Sequence, residues 1–302
     1  MLFAAGQRQI GAARLAWSLA FSGSLWWVVI ERERLVLDTR WIPGARSARR
    51  PQGCVYLLLS GRFELHGPAA RTIEAPAAFV LSEEQFEGAL GSRPLTYRTG
   101  GEPFLSIQIH VPEAMLAVGP SIDPSGSARL LELGAPAWSA AREVAVACRS
   151  SAEASLDPMQ RLMRELVDCG VLHAGAMQPA VMQTPAPLTL LWRGIRPIID
   201  RLNMAPTVHE ISTATGMSVR QIEQRLSGFL TRFDVGGKGW RPATLHLRLK
   251  VAVLFLSAEG ISVAEVAEAS SYGSIDAMAR AFRDAGLPPP SKVQAQLRGE
   301  EG

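Results

Sequence analysis

The chain has 302 residues, is 47% apolar and 20% charged, and carries a formal net charge of +3. That composition excludes disorder and allows two ordinary domains. Residues 1–186 hold 17 Arg and no Lys against 17 Asp and Glu, so the excess belongs to residues 187–302, with 14 basic against 11 acidic side chains; the sign suits a nucleic-acid partner. Three cysteines (Cys54, Cys148 and Cys169) stand in no metal-ligand or C-x-x-C spacing and form no complete disulfide framework, which points to a reducing cytoplasm.

Leu15 to Ile30 is the one stretch that could suggest a membrane span or signal peptide. It is interrupted by Ser18, Ser22, Gly23 and Ser24 and falls short of the ~20 apolar residues a span needs, so it is read as a core helix or strand, with no membrane partner. From Leu25 to Val111 short apolar runs such as Trp26–Ile30, Val55–Leu59 and Phe104–Ile109, punctuated by Gly and Pro, predict an antiparallel β-sandwich or barrel. Ser60-Gly61 is placed as the turn of a hairpin between Leu57 and Leu65. Two helices are expected over 136–172, the second with Leu156, Met159, Leu162, Met163 and Leu166 on one apolar face. Leu162, Met163 and Leu166 pack either on the chain's own sheet or on the same helix of a second subunit, giving a homodimer.

Residues 176–187, with Pro179, Pro185 and Pro187, read as a linker between a domain over 1–175 and one over 188–302. Beyond it two stretches repeat at an offset of 55 positions. Thr207-Val208-His209-Glu210 and Ser262-Val263-Ala264-Glu265 each begin [ST]-x-x-E, the pattern in which hydroxyl and carboxylate cap a helix reciprocally. Each continues through a short turn into a second apolar-periodic helix, which makes two helix-turn-helix units joined by a helix over about 243–256. The glycines around Lys238 form a flexible turn, since Gly239 follows where a phosphate loop needs Ser or Thr.

The second helix of such a unit enters the major groove with its N-terminal residues toward base edges. In the first unit Ser218, Arg220, Gln221, Gln224 and Arg225 are expected to surround inward-facing Val219, Ile222 and Leu226. Arg suits guanine O6/N7 and Gln suits adenine N6/N7, although a solvated helix face carries the same residues. In the second unit the groove-facing surface is expected to include Ser274, Ile275, Asp276 and Ala277, and Arg280 and Arg283 further along fit phosphate contacts. Asp276 either caps its helix or accepts from cytosine N4, so this unit is expected to position more than it reads.

With Gly216-Met217-Ser218-Val219-Arg220, Arg248-Leu249, Ile261-Ser262-Val263-Ala264-Glu265-Val266-Ala267 and Arg280-Ala281-Phe282-Arg283 followed by Pro289-Pro290-Ser291, the C-terminal hundred residues resemble the DNA-binding domain of AraC/XylS transcription regulators. The resemblance is to a divergent member: the family usually has Gly where Ser271 stands, an aromatic at Met278, Arg at Gln224, and a closing Pro-x-x-Tyr/Phe where Lys292-Val293 occurs. It implies a transcription regulator of the cytoplasm that binds double-stranded DNA, and contact with RNA polymerase. It also implies a cupin-like β-barrel with following helices as the N-terminal half of an α+β chain. Trp26, Trp41, Tyr56 and Arg46 are then candidates to hold a small-molecule effector, with core packing as the alternative for the aromatics. His66 and His110 stand alone, so neither a metal nor another cofactor is expected. Two enzyme readings are disfavoured: a cupin-type enzyme lacks its ligand cluster, and a DNA-repair methyltransferase lacks an activated cysteine. The remaining alternative is a relative that has lost DNA binding and serves as a protein-interaction module.

Overall fold

The first 23 residues form a hairpin, so the stretch from Leu15, expected to be a core helix or strand, begins as strand. β1 (Leu2–Ile10) and β2 (Ala13–Ser22) pair from Leu2↔Phe21 to Ile10↔Ala13, and Gly11 takes the left-handed conformation, φ 55°, in the two-residue turn. The computed structural model describes residues 1–23, 25–42, 52–66, 71–82, 96–122, 129–150, 156–177, 186–200, 207–233 and 239–299. Arg46 and the glycines flanking Lys238 at 236 and 237 lie outside them.

Six further strands complete one antiparallel sheet: β3 (Leu25–Glu33), β4 (Leu37–Asp38), β5 (Gln52–His66), β6 (Arg71–Glu74), β7 (Ala77–Ser82) and β8 (Thr96–Pro112). Their order is β1-β2-β3-β8-β5-β6, with β4 on β8 and β7 on β5, so the sheet is open, with an edge at β1. No turn occurs at Ser60-Gly61. β5 continues through a bulge there, because Gly61 at φ 88° meets Gly101 of β8 at φ 104°, and a Cβ on Gly101 would lie 2.8 Å from the Gly61 Cα. The bulge divides β5 into a half that pairs with β7 and a half that pairs with β6.

Alternation sorts the sheet into two faces. Trp27, Val29, Val55, Leu57, Ile107 and Ile109 face α1 (Ala135–Ser150) and α2 (Leu156–Asp168), and there Met159, Leu162, Met163 and Leu166 are buried. Of the two coverings expected for this face, the chain's own sheet is the one observed, since an amphipathic helix this short is stable only when its apolar stripe is covered. Tyr56, Leu58, Phe63, Phe79 and Phe104 form a separate aromatic core on the other face.

Seven helices follow among the described residues: α3 (Ala186–Asp200), α4 (Val208–Thr215), α5 (Val219–Phe233), α6 (Trp240–Leu256), α7 (Val263–Ala269), α8 (Ile275–Asp284) and α9 (Pro290–Arg298). They do not stand apart from the sheet. Leu2, Ala4 and Phe21 of the β1–β2 hairpin share a core with α3, α4 and α5, while Ala13, Leu15 and Trp17 share another with the helices from α6 to α9. Polar contacts seal the junction. Asp200 Oδ1 accepts from the Ala5 amide at 3.0 Å, Trp192 Nε1 donates to the Phe3 carbonyl at 3.0 Å, and Ser257 Oγ accepts from the Val36 amide at 2.8 Å. The Asp200 bond satisfies a donor of the edge strand β1 that would otherwise invite another chain.

Candidate nucleic-acid interface

The repeated caps form as their spacing requires. At α4 the Thr207 amide donates to Glu210 Oε2 at 2.5 Å and the Glu210 amide to Thr207 Oγ1 at 3.3 Å. At α7 the Ser262 amide donates to Glu265 Oε2 at 2.8 Å and the Glu265 amide to Ser262 Oγ at 3.3 Å. The Ser262 hydroxyl, then its amide, holds the Glu265 carboxyl below the ordinary carboxylate range. Each first helix therefore enters its unit at a defined angle, which fixes where the second helix begins.

α4 ends at Gly216, φ 68°, and the buried Met217 leads to α5. Ser218 caps α5 through a third reciprocal pair: its amide donates to Gln221 Oε1 at 2.9 Å, and the Gln221 amide donates to Ser218 Oγ at 3.3 Å. The sequence places both residues on the base-reading surface. Their local role is capping, and Gln221 keeps only its amide nitrogen for a partner outside the helix. Arg220 and Gln224 are exposed as expected. Arg225 is half-buried, with Nη1 2.7 Å from Met217 Sδ, so it lies along the protein instead of projecting. Val219 is exposed and not inward-facing, because Met217 takes the buried place ahead of Ile222 and Leu226.

The second unit repeats the arrangement. Ser274 caps α8, accepting from the Ala277 amide at 3.1 Å, while Met278 and Phe282 are buried. Asp276 is not the cap; it sits exposed in the first turn, where a carboxylate is favoured by the helix dipole. Arg280 and Arg283 are exposed. The turn is held from α6 by Arg248, which donates from Nη2 to the Ser271 carbonyl at 2.5 Å and lies over the Tyr272 ring at 4.1 Å. No local signal predicts that clamp, since its partners lie more than 20 residues away.

The three described effector candidates do not meet. Tyr56 is stacked on Phe79 in the aromatic core, Trp26 packs at the core of α3–α5, and Trp41 packs at the core of α6–α9. Trp26 also stacks on His110, ring centroids 3.6 Å apart, and burial with the nearby Lys250 charge pushes His110 down to about 3. The cation inside the sheet is Arg32. It is buried, donates from Nη2 to Thr99 Oγ1 at 2.7 Å, and lies 3.8 Å from the Phe104 ring centroid; burial pushes it down to about 10. Its Nε has no hydrogen-bond partner, and no carboxylate among the described residues pairs with it. Strand alternation from Trp26 through Val28 and Ile30 places Arg32 on that face, a signal that was present in the sequence. Burial also raises the Cys148 thiol to about 11, the opposite of what activates a nucleophile. No helix among the described residues is long and apolar enough to cross a membrane.

No family model and no curated protein matches the chain. Solved structures to which the chain is similar include ToxT from Vibrio cholerae, 7% identical over 94% of this chain and 98% of that one at a TM-score of 0.35. The AraC-like transcriptional activator CuxR is 17% identical over 82% of this chain and 91% of that one, with a TM-score of 0.30. KdgF from Halomonas sp. is 16% identical over 35% of this chain and 84% of that one, with a TM-score of 0.24. Scores this low leave the functional reading to the chain's own residues.

Proposed function

We propose that the chain is a sequence-specific DNA-binding transcription regulator of the cytoplasm, in which α5 reads bases and α8 positions the protein on the backbone. The observation that carries this is the pairing of two capped helix-turn-helix units whose second helices each bury one apolar stripe and leave a polar first turn and outer face exposed. Arg220 and Gln224 supply base-reading chemistry on α5, and Arg280 and Arg283 supply phosphate contacts on α8. The N-terminal half tunes this activity through the hairpin that both units share. An acidic small molecule is the effector class that Arg32 supports, because a buried guanidinium with no counter-ion among the described residues gains most from a carboxylate.

The test is retardation of duplex fragments from the chain's own genomic neighbourhood. Binding should survive competitor DNA and be lost when Arg220→Ala is combined with Gln224→Ala. Absence of binding at low salt to every fragment would favour the protein-interaction alternative. A rise in melting temperature with small carboxylic acids, lost in Arg32→Gln, would test the effector.

A further inference from the structure

Large apolar side chains that remain well exposed are few among the described residues: Leu130, Val146, Val219, Leu245 and Ile275. Two of these five occupy one equivalent place. Val219 and Ile275 are the first residues of α5 and α8, each directly after a serine cap, and they are 43% and 47% exposed. In both helices the residues three and seven positions on are buried, Ile222 with Leu226 and Met278 with Phe282. The first residue thus belongs to the apolar stripe by sequence but overhangs the turn, where the protein itself does not cover it.

We infer that Val219 and Ile275 are thymine readers, each packing its methyl groups against the C5-methyl of a thymine in the major groove; this rests on the DNA-binding reading above. The N-terminal end of the second helix is the part of such a unit that reaches base edges. Among base edges in that groove, the thymine methyl is the partner for an apolar side chain. Val and Ile are stiff at χ1, so their methyl groups are already placed and little rotamer freedom is lost on contact. The serine caps fix the first turn, and neither Val219 nor Ile275 brings a charge that would meet the phosphates. The second unit then contributes sequence information through Ile275 although its polar residues serve mainly for positioning.

The full-length protein should be used to select duplexes from a randomised library, followed by replacement of each selected thymine with deoxyuridine, which removes only the methyl group. The expected result is two thymines, one for each unit, at which deoxyuridine weakens wild-type binding about fourfold, the worth of one buried methyl-sized group. Val219→Ser should abolish the effect at one and Ile275→Ser at the other, with the rest of the selected motif retained. If a motif is selected but deoxyuridine is neutral at every thymine, thymine reading is overturned and DNA reading stands. If no duplex is enriched at low salt, both fall. The deoxyuridine comparison uses wild-type protein, so it does not depend on how the variants fold.

Discussion

Arg248 on α6 donates to the carbonyl of Ser271, a residue in the left-handed conformation at φ 62° between α7 and α8. Nε of the same guanidinium donates to the Ser270 carbonyl at 3.3 Å, and the Tyr272 ring lies beneath it. One connector side chain thereby sets the angle of the second unit. Arg248→Met keeps much of the aliphatic stem but removes both donors and the cation over the ring. It should cost about 2–3 kcal/mol in urea denaturation. Amides of α7 and α8 should lose exchange protection before those of α4 and α5.

Ser271 itself is strained. A side chain at positive φ costs about 1–2 kcal/mol, partly offset because Gly gives the unfolded chain more freedom. Ser271→Gly should therefore stabilise the protein by about 0.5–1 kcal/mol, read as an upward shift of the thermal midpoint. A decrease would show that the Ser271 side chain makes a compensating contact.

Arg220 and Arg225 of α5 should behave differently toward DNA. Arg220 is exposed, whereas Arg225 lies against Met217 Sδ. Arg220→Ala should cost about 1–3 kcal/mol of binding and relax preference at one base position. Arg225→Ala should lower the melting temperature and leave base preference unchanged. Equal loss of preference in both variants, measured on a duplex selected by the wild type, would mean that Arg225 leaves Met217 on binding.

Features set by neighbours three or four residues apart were legible in the sequence. Thr207 with Glu210 and Ser262 with Glu265 cap as their spacing requires, and Ser218 with Gln221 obeys the same rule, although Gln221 looked like a base contact. What depends on distant partners was not legible. Ser60-Gly61 resembles a turn until Gly101 is placed opposite it, and the β1–β2 hairpin is defined by the two helical cores that cover it. Val219 carries a helical-stripe signal, but Met217 fills the space that this signal assigns to it. Arg32 was legible by alternation, whereas its lack of a counter-ion among the described residues is a tertiary fact.

His110 gives the stability a defined pH dependence. Its folded value of about 3 lies below the ordinary 6.5, so between those values the unfolded chain binds a proton that the folded chain does not. Stability contributed by neutral His110 is fully present above about pH 6.5 and is lost as the pH falls toward 3. At pH 5 the loss should reach up to about 2 kcal/mol relative to neutral pH. His110→Phe keeps a flat ring against Trp26 and should remove this increment from denaturation midpoints compared at pH 7.5 and pH 5. An unchanged pH slope in the variant would place the proton uptake elsewhere.

Trp192 tests whether the hairpin couples the two halves of the chain. Its indole donates to Phe3 in the edge strand β1, meets Phe21 edge-on at 5.5 Å and stacks on Phe229 of α5 at 5.9 Å. One side chain therefore touches the sheet and the first helix-turn-helix unit at once. Trp192→Phe retains most of the packing but leaves the Phe3 carbonyl without this donor, and should cost about 1–2 kcal/mol. Trp192→Ala opens the shared core and should cost about 3–5 kcal/mol. With the core intact the sheet and helices should melt together, since neither can expose its half of an apolar contact without the other. In Trp192→Ala the helical signal should melt first and the aromatic signal of the sheet later. Two separate transitions in the wild type would show that the hairpin does not couple the halves, and would remove the route by which the sheet could influence α5.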